Sequence, residues 1–340
     1  MRPVFVKISE ESIIMSLIKA KNLNKSFRIY SQGSGIKGYL KSFVKRDYEE
    51  IHAVEDLNLE IEEGEMIGYI GSNGAGKSTT VKMLTGILEP SSGLIEVDGR
   101  NPHKNRKKNA MHIGVVFGQK TQLWWDLPVK ESFKLLREIY EVDEEAYSER
   151  IEEFDEVLQI SEFWEQPVRK LSLGQKMRCE LAAAFLHHPK IVYLDEPTIG
   201  LDVAVKERIR DFIRKMNEEK NITVMLTTHD IGDIEDLCDR IVVLDEGKKI
   251  YDGALDDLVN RFSSRRLVME VKRPEEFEIE VKGVNEVKNT DEGLEVVFDR
   301  TVITASELMR QILADYEVLD FQIKEPDIEE VVKKVYNEGI

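Results

Sequence analysis

The sequence predicts an α/β fold with a second, smaller α+β domain behind it, on three observations. Short apolar runs of buried-strand type recur at Met66-Ile67-Gly68-Tyr69-Ile70, Ile113-Gly114-Val115-Val116-Phe117, Ile191 to Leu194 and Thr223 to Thr228. Helical apolar spacings lie between them, as at Val81, Leu84 and Leu88 and across Val205 to Met216. The composition then shifts after Arg261, where residues 262–340 carry 11 Lys+Arg against 19 Asp+Glu.

The first run opens into Gly71-Ser72-Asn73-Gly74-Ala75-Gly76-Lys77-Ser78-Thr79, which fits G-x-x-x-x-G-K-[ST] between a strand and a helix. Gly71, Gly74 and Gly76 lack Cβ, so positive φ is open to all three and the backbone N–H groups can converge at the positive end of the next helix. An ordinary Gly-rich turn would not need the Lys and Ser that follow. The pattern points to a nucleotide, with Lys77 on the β/γ-phosphates and Ser78 on Mg²⁺.

At 340 residues the chain exceeds the roughly 150 usual for one domain, and it divides as 1–16, 17–261 and 262–340. Residues 1–16 read as a leader, disordered in one reading. Leu17 to Phe27 and the alternating Ala53 to Ile61 read as strands, with an insertion at 31–50 between them. Within it, Ile36, Tyr39, Leu40, Phe43 and Val44 form a stripe flanked by Lys37, Lys41 and Lys45. That basic amphipathic helix either packs on its own domain or meets a membrane surface or partner. Helical periodicity from Val129 to Trp164 implies a helical subdomain over about 120–175. The last domain has candidate strands at 267–271, 294–298 and 318–323 and candidate helices at 306–314 and 327–336.

With 48 Lys+Arg against 65 Asp+Glu the formal charge is −17, which argues against a nucleic-acid groove. Cys179 and Cys238 are expected to be free thiols. Met1 to Met15 has no signal-peptide core, and no run reaches the roughly 18 apolar residues of a membrane span. Work at a membrane would need another subunit to cross it.

Ile191-Val192-Tyr193-Leu194 ends in Asp195-Glu196-Pro197, a buried strand closing on two carboxylates. Asp195 is placed to hold Mg²⁺ through its water shell, and Glu196 to orient and deprotonate an attacking water. Leu171-Ser172-Leu173-Gly174-Gln175 contains a capping box, Ser172 with Gln175. It also offers a second glycine-bearing helix start. Two phosphate receptors in one chain can share one ATP only if the second comes from another copy.

Residues 17–255 resemble the ATP-binding cassette (ABC) family. The likeness is carried by the phosphate loop 71–78, Gln119 after Phe117-Gly118, the signature at 172–176, the acidic strand 191–196, Gly200-Leu201-Asp202, and His229 after Thr227-Thr228. Leu173 departs from the usual L-S-G-G-Q, while Gly174 remains. The resemblance implies a P-loop NTPase core with the ABC antiparallel β subdomain and helical subdomain, to which the small C-terminal α+β domain read from residues 262–340 is added. By the same resemblance Gln119 touches Mg²⁺ and couples the site to a transport subunit, His229 senses the γ-phosphate, and Asp202 bridges a dimer. Phe27 resembles the aromatic that stacks on adenine, with Tyr30 the alternative. ATP would be bound by 71–79 of one copy and by Ser172, Gly174 and Gln175 of the other. Trp124-Trp125 is either core or an exposed anchor for a coupling helix.

The wording of Gly68-Tyr69-Ile70-Gly71, Val116-Phe117-Gly118-Gln119 and Pro326-Asp327-Ile328-Glu329-Glu330-Val331 resembles ATPase subunits of multidrug-type exporters with separate permease chains. The insertion at 31–50 resembles polysaccharide-exporting relatives. The implied protein is a transporter ATPase, peripheral on the cytoplasmic face of the cell membrane. It would form an ATP-induced homodimer or pair with a similar ATPase, bind multi-spanning permeases and bind no nucleic acid. The alternative is a soluble ABC ATPase acting as an assembly scaffold. A genome-maintenance ATPase would need a long coiled coil between Gln119 and Ser172, where only about fifty residues lie.

Overall fold

The computed structural model describes residues 16–30, 48–118, 120–228, 230–261, 264–290, 293–324 and 331–335. The insertion helix expected at 36–46, and the residues Gln119 and His229, lie outside these. The chain forms two compact units, Met1–Asp252 and Gly253–Ile340. The boundary falls before the composition shift at Arg261, since Leu255–Arg261 belongs with the second unit.

In the first unit, β1 (Ser16–Tyr30) lies between β2 (Tyr48–Glu62) and β4 (Ser92–Val97) in an antiparallel sheet. Leu57, Leu59 and Ile61 of β2 alternate into the core as the sequence pattern demands, and Val54 is brought to the same side by an irregularity at Asp56, whose φ is 47°. The β1–β2 pairing continues to Tyr30 and Tyr48, so the strands reach further into the expected insertion than their apolar residues indicate.

The second sheet has the order β5-β6-β7-β3-β8-β9. Its strands are β3 (Met66–Gly71), β5 (Ile113–Phe117), β6 (Ile191–Asp195), β7 (Thr223–Thr227), β8 (Arg240–Asp245) and β9 (Lys248–Ala254). The pairings β5–β6, β6–β7, β7–β3 and β3–β8 are all parallel. Ile191, Val192, Tyr193 and Leu194 are fully buried, as a strand covered on both faces must be. Each such side chain stabilises the fold by about 1.5–3 kcal/mol relative to exposure. Parallel strands end on the same edge, and the ends of β3, β6 and β7 meet there.

Helix α1 (Lys77–Leu84) follows β3, and α2 (Arg106–Ala110) precedes β5. The periodicity running to Leu88 overshoots α1, because Thr85 caps it and Gly86 turns to a φ of 78°. The helical region comprises α3 (Val129–Ile139), α4 (Glu144–Leu158) and α5 (Leu173–Phe185). Helix α6 (Val203–Lys220) joins β6 to β7, and α7 (Ile231–Leu237) leads to β8.

The second unit contains α8 (Leu255–Arg261) and an antiparallel sheet β11-β12-β10-β13. Its strands are β10 (Ser264–Val271), β11 (Val284–Thr290), β12 (Gly293–Asp299) and β13 (Val318–Lys324). Helix α9 (Ala305–Asp315) packs Leu308, Met309 and Ile312 into one core with Leu267, Met269 and Val296. Strand β11 went unread in the sequence, since Asn285, Glu286, Lys288 and Asn289 are all exposed and show no apolar alternation. Cys179 and Cys238 are free and buried, as the sequence predicts.

Candidate functional site

The loop after β3 turns through Gly74 (φ 89°) and Gly76 (φ 102°), a region that side chains with Cβ avoid. A Cβ on Gly76 would stand 2.3 Å from the Ala53 carbonyl oxygen, so only glycine fits. Gly71 corrects the expectation: it is not among the positive-φ residues. It is glycine because a Cβ there would meet the Leu244 carbonyl oxygen at 2.8 Å, where β3 and β8 lie together.

Helix α1 starts at Lys77 from Gly76, with no side-chain cap on its first N–H groups. Those donors and the helix dipole favour an anion at this point. Lys77 folds back over the loop, its Nζ donating to Gly71 O at 2.6 Å and Ser72 O at 3.2 Å. Burial lowers its pKa, against the pull of Glu196 and Asp195.

Ser78 Oγ donates to the Asp195 carboxylate at 3.1 and 3.3 Å. Thr227 Oγ1, at the end of the intervening β7, donates to Asp195 at 2.5 Å. Glu196 is held by its N–H donating to Thr227 O at 2.9 Å and adopts a φ of 57°. A left-handed backbone on a non-glycine residue is costly and gathers at functional sites. Gly118 makes room for it, since a Cβ would sit 2.8 Å from Glu196 O. A cleft of about 640 Å³ is lined by Gly74, Gly76, Lys77, Ser78, Asp195 and Glu196, with Ile87, Phe117 and Ile199 as apolar wall.

Among the hard oxygen donors of this cleft, the Ser78 hydroxyl and the Asp195 carboxylate stand within hydrogen-bond distance of each other. The pair fits Mg²⁺ of the kind that takes its other ligands from phosphate and water.

The other glycine-bearing helix start forms the capping box read in the sequence. Ser172 Oγ accepts from Gln175 N at 3.2 Å, and Gln175 Oε1 accepts from Ser172 N at 2.9 Å. No residue of 172–176 lines the cleft. Leu173, at the departing signature position, is half exposed and reaches to within 3.3 Å of where a Cβ on Gly200 would stand.

A model of the ABC transporter family matches residues 54–199. The ABC transporter ATP-binding protein NatA of Bacillus subtilis is 34% identical over 208 residues, covering 61% of this chain and 84% of NatA. The chain belongs to the ABC transporter family of ATP-binding proteins. The linearmycin resistance ATP-binding protein LnrL of B. subtilis is 29% identical over 294 residues, covering 84% of this chain and 94% of LnrL. That stretch is longer than the 252 residues of the first unit, so the similarity runs into the second. A solved dimeric ATP-binding cassette, in a post-hydrolysis state with ADP and phosphate bound, superposes with a TM-score of 0.59 at 28% identity. It covers 70% of this chain and 98% of the neighbour. The protein is thus an ABC-type ATP-binding subunit with the ATPase activity of its family.

Within this ABC cassette, the remaining sequence-predicted residues fall as follows. Asp202 caps α6, its carboxylate accepting from Val205 N at 3.0 Å. Phe27 is exposed on β1 with Lys25 Nζ 5.2 Å above its ring, and the Tyr30 side chain lies outside the described residues. Trp124 and Trp125 are 37% and 53% exposed, which excludes the core reading. Sequence reasoning missed the left-handed Glu196, which no composition or spacing signals.

Proposed function

We propose that this chain is the ATP-hydrolysing subunit of an exporter whose permeases are separate chains, working as a head-to-tail dimer on the cytoplasmic face of the membrane. The observation that carries the reading is the cleft itself: an uncapped, glycine-built helix start opposite Asp195 and Glu196, with the residues 172–176 outside it. One copy then supplies only half of an ATP site, and a twofold dimer completes two.

In this reading the N–H groups of Ser72 to Thr79 hold the β- and γ-phosphates, and Lys77 turns from Gly71 O and Ser72 O to the phosphate oxygens. Ser78, and Asp195 through the water shell, would hold Mg²⁺, which when bound would supply positive charge against the phosphate oxygens. Glu196, which lines the cleft next to Asp195, takes the proton of the attacking water. Ser172, Gly174 and Gln175 of the second copy close on the γ-phosphate, which requires the capping box to yield N–H groups to it. Asp202 joins the copies, Gln119 and His229 keep their family roles, and Phe27 or Tyr30 stacks on adenine.

Export, rather than uptake, draws on the exporter-like wording of the motifs and on the similarity to a resistance ATPase that extends into the second unit. Among the described residues no helix is long and apolar enough to cross a membrane.

Glu196→Gln tests the chemistry. Steady-state hydrolysis should fall by about a hundredfold or more while Mg·ATP binding persists. A variant that still turns over at the parent rate refutes the role of Glu196. Capture of the tagged Glu196→Gln chain from its host's membranes with ATP should recover one or two multi-spanning proteins in near-stoichiometric amount, and recovery of soluble partners alone would refute the transporter assignment.

A further inference from the structure

The segment after β5 changes partners within a few residues. Gly118 N donates to Asp195 O at 2.8 Å and belongs to the core sheet. From Thr121 onward the partners lie in the helical region. Thr121 Oγ1 donates to one carboxylate oxygen of Glu180, and Gln122 N donates to the other at 3.1 Å. The Gln122 amide donates to the Glu180 carbonyl oxygen at 3.1 Å, and Trp124 N donates to Ser132 Oγ on α3 at 3.1 Å. Four backbone bonds of 3.0 Å then join 125–130 to 164–169, which leads into Ser172.

Glu180 stands on α5, the helix that begins with the Ser172–Gln175 capping box, and is 3% exposed. Burial pushes its carboxyl pKa up, against the hydrogen bonds from Thr121 and Gln122. A buried carboxyl group costs several kcal/mol unless its oxygens are satisfied, and an apolar residue would pack there at less cost. What an apolar residue cannot do is fix the direction of two donors from a loop.

We propose that Glu180 is a positioning residue that clamps Thr121 and Gln122 to the helix carrying Ser172, Gly174 and Gln175, so that displacement of either is passed to the other. The inference rests on the reading of 172–175 as the second half of the ATP site. A force arriving at the exposed Trp124-Trp125 surface would then move the signature end of α5 rather than bend the loop.

The test compares the full-length chain with Glu180→Ala, Glu180→Gln and Glu180→Gln/Thr121→Val, reading kcat, KM, Mg·ADP affinity and the thermal midpoint. Glu180→Ala should lose about tenfold to a hundredfold in kcat through misplacement of the helix start, with Mg·ADP affinity within about twofold. Glu180→Gln should recover most of the rate, because its amide oxygen can accept from Gln122 N while its NH₂ donates to a reversed Thr121 hydroxyl. Adding Thr121→Val should remove that rescue. The proposal is overturned if Glu180→Ala keeps its parent's kcat, or if its loss matches a fall in nucleotide affinity or folding and Gln rescues nothing. Should the parent chain hydrolyse no faster than Glu196→Gln, the nucleotide reading falls and takes this one with it. An active parent matched by Glu180→Ala sinks the clamp alone.

Discussion

Helices α1 and α5 both begin at glycine-bearing turns, yet they treat their orphan N–H groups in opposite ways. α1 leaves Gly76 without a side-chain cap and surrounds its start with Lys77, Ser78 and Asp195. α5 satisfies itself, Ser172 and Gln175 capping each other's backbone. The first start needs a ligand to complete it, and the second must give up a hydrogen bond to receive one. On the proposed reading, the difference would let one chain hold nucleotide at α1 and engage α5 only when a second copy brings the γ-phosphate to it.

The largest effect expected is at Gly76. Gly76→Ala would force a methyl against Ala53 O at a φ of 102° and should cost about 3 kcal/mol or more, with loss of nucleotide binding. Calorimetric unfolding and fluorescent-nucleotide titration measure both. Gly174→Ala sharpens the contrast, because its methyl would meet only Val205 at an ordinary 3.4 Å. Stability should hold or rise by about 0.5–1 kcal/mol, while kcat falls about tenfold or more if this backbone approaches a phosphate. Unchanged kcat there would break the comparison. Ser172→Ala should cost about 1 kcal/mol of stability in denaturant titration, whereas α1 has no side-chain cap to lose.

A pH-dependent effect, absent at neutral pH, concerns the far end of α5. His187 stacks on Tyr140 at 3.9 Å and lies 3.0 Å from Ile113 O through Nε2. Desolvation pushes its pKa from 6.5 down to about 4. Between those values the unfolded chain binds the proton first. Stability from the neutral ring is therefore complete above about pH 6.5 and is lost as pH falls to about 4, by up to about 3 kcal/mol. His187→Gln should flatten that slope in denaturation curves taken across the window, and an unchanged slope would contradict the assignment.

Much of this was legible because buried parallel strands announce themselves. Ile113 to Phe117 and Ile191 to Leu194 have few polar positions to confuse them, and the phosphate loop needs its glycines in order. Even so, the reason for Gly71 was misread: sequence shows a missing Cβ but not whether a torsion or a neighbour demands it. Strand β11 escaped because it sits at a sheet edge and its polar residues carry no period. The Glu180 clamp escaped because its partners lie 58 and 59 positions away, beyond any local pattern. The capping box was readable because its whole chemistry fits within four residues.

The central claim is that one ATP needs both helix starts, from two copies. The most direct measurement is the light-scattering molar mass of Glu196→Gln with and without saturating Mg·ATP. The account predicts a monomer without nucleotide and a dimer with it, reverting when Gly174→Asp is added. A chain that binds Mg·ATP and stays monomeric would contradict it.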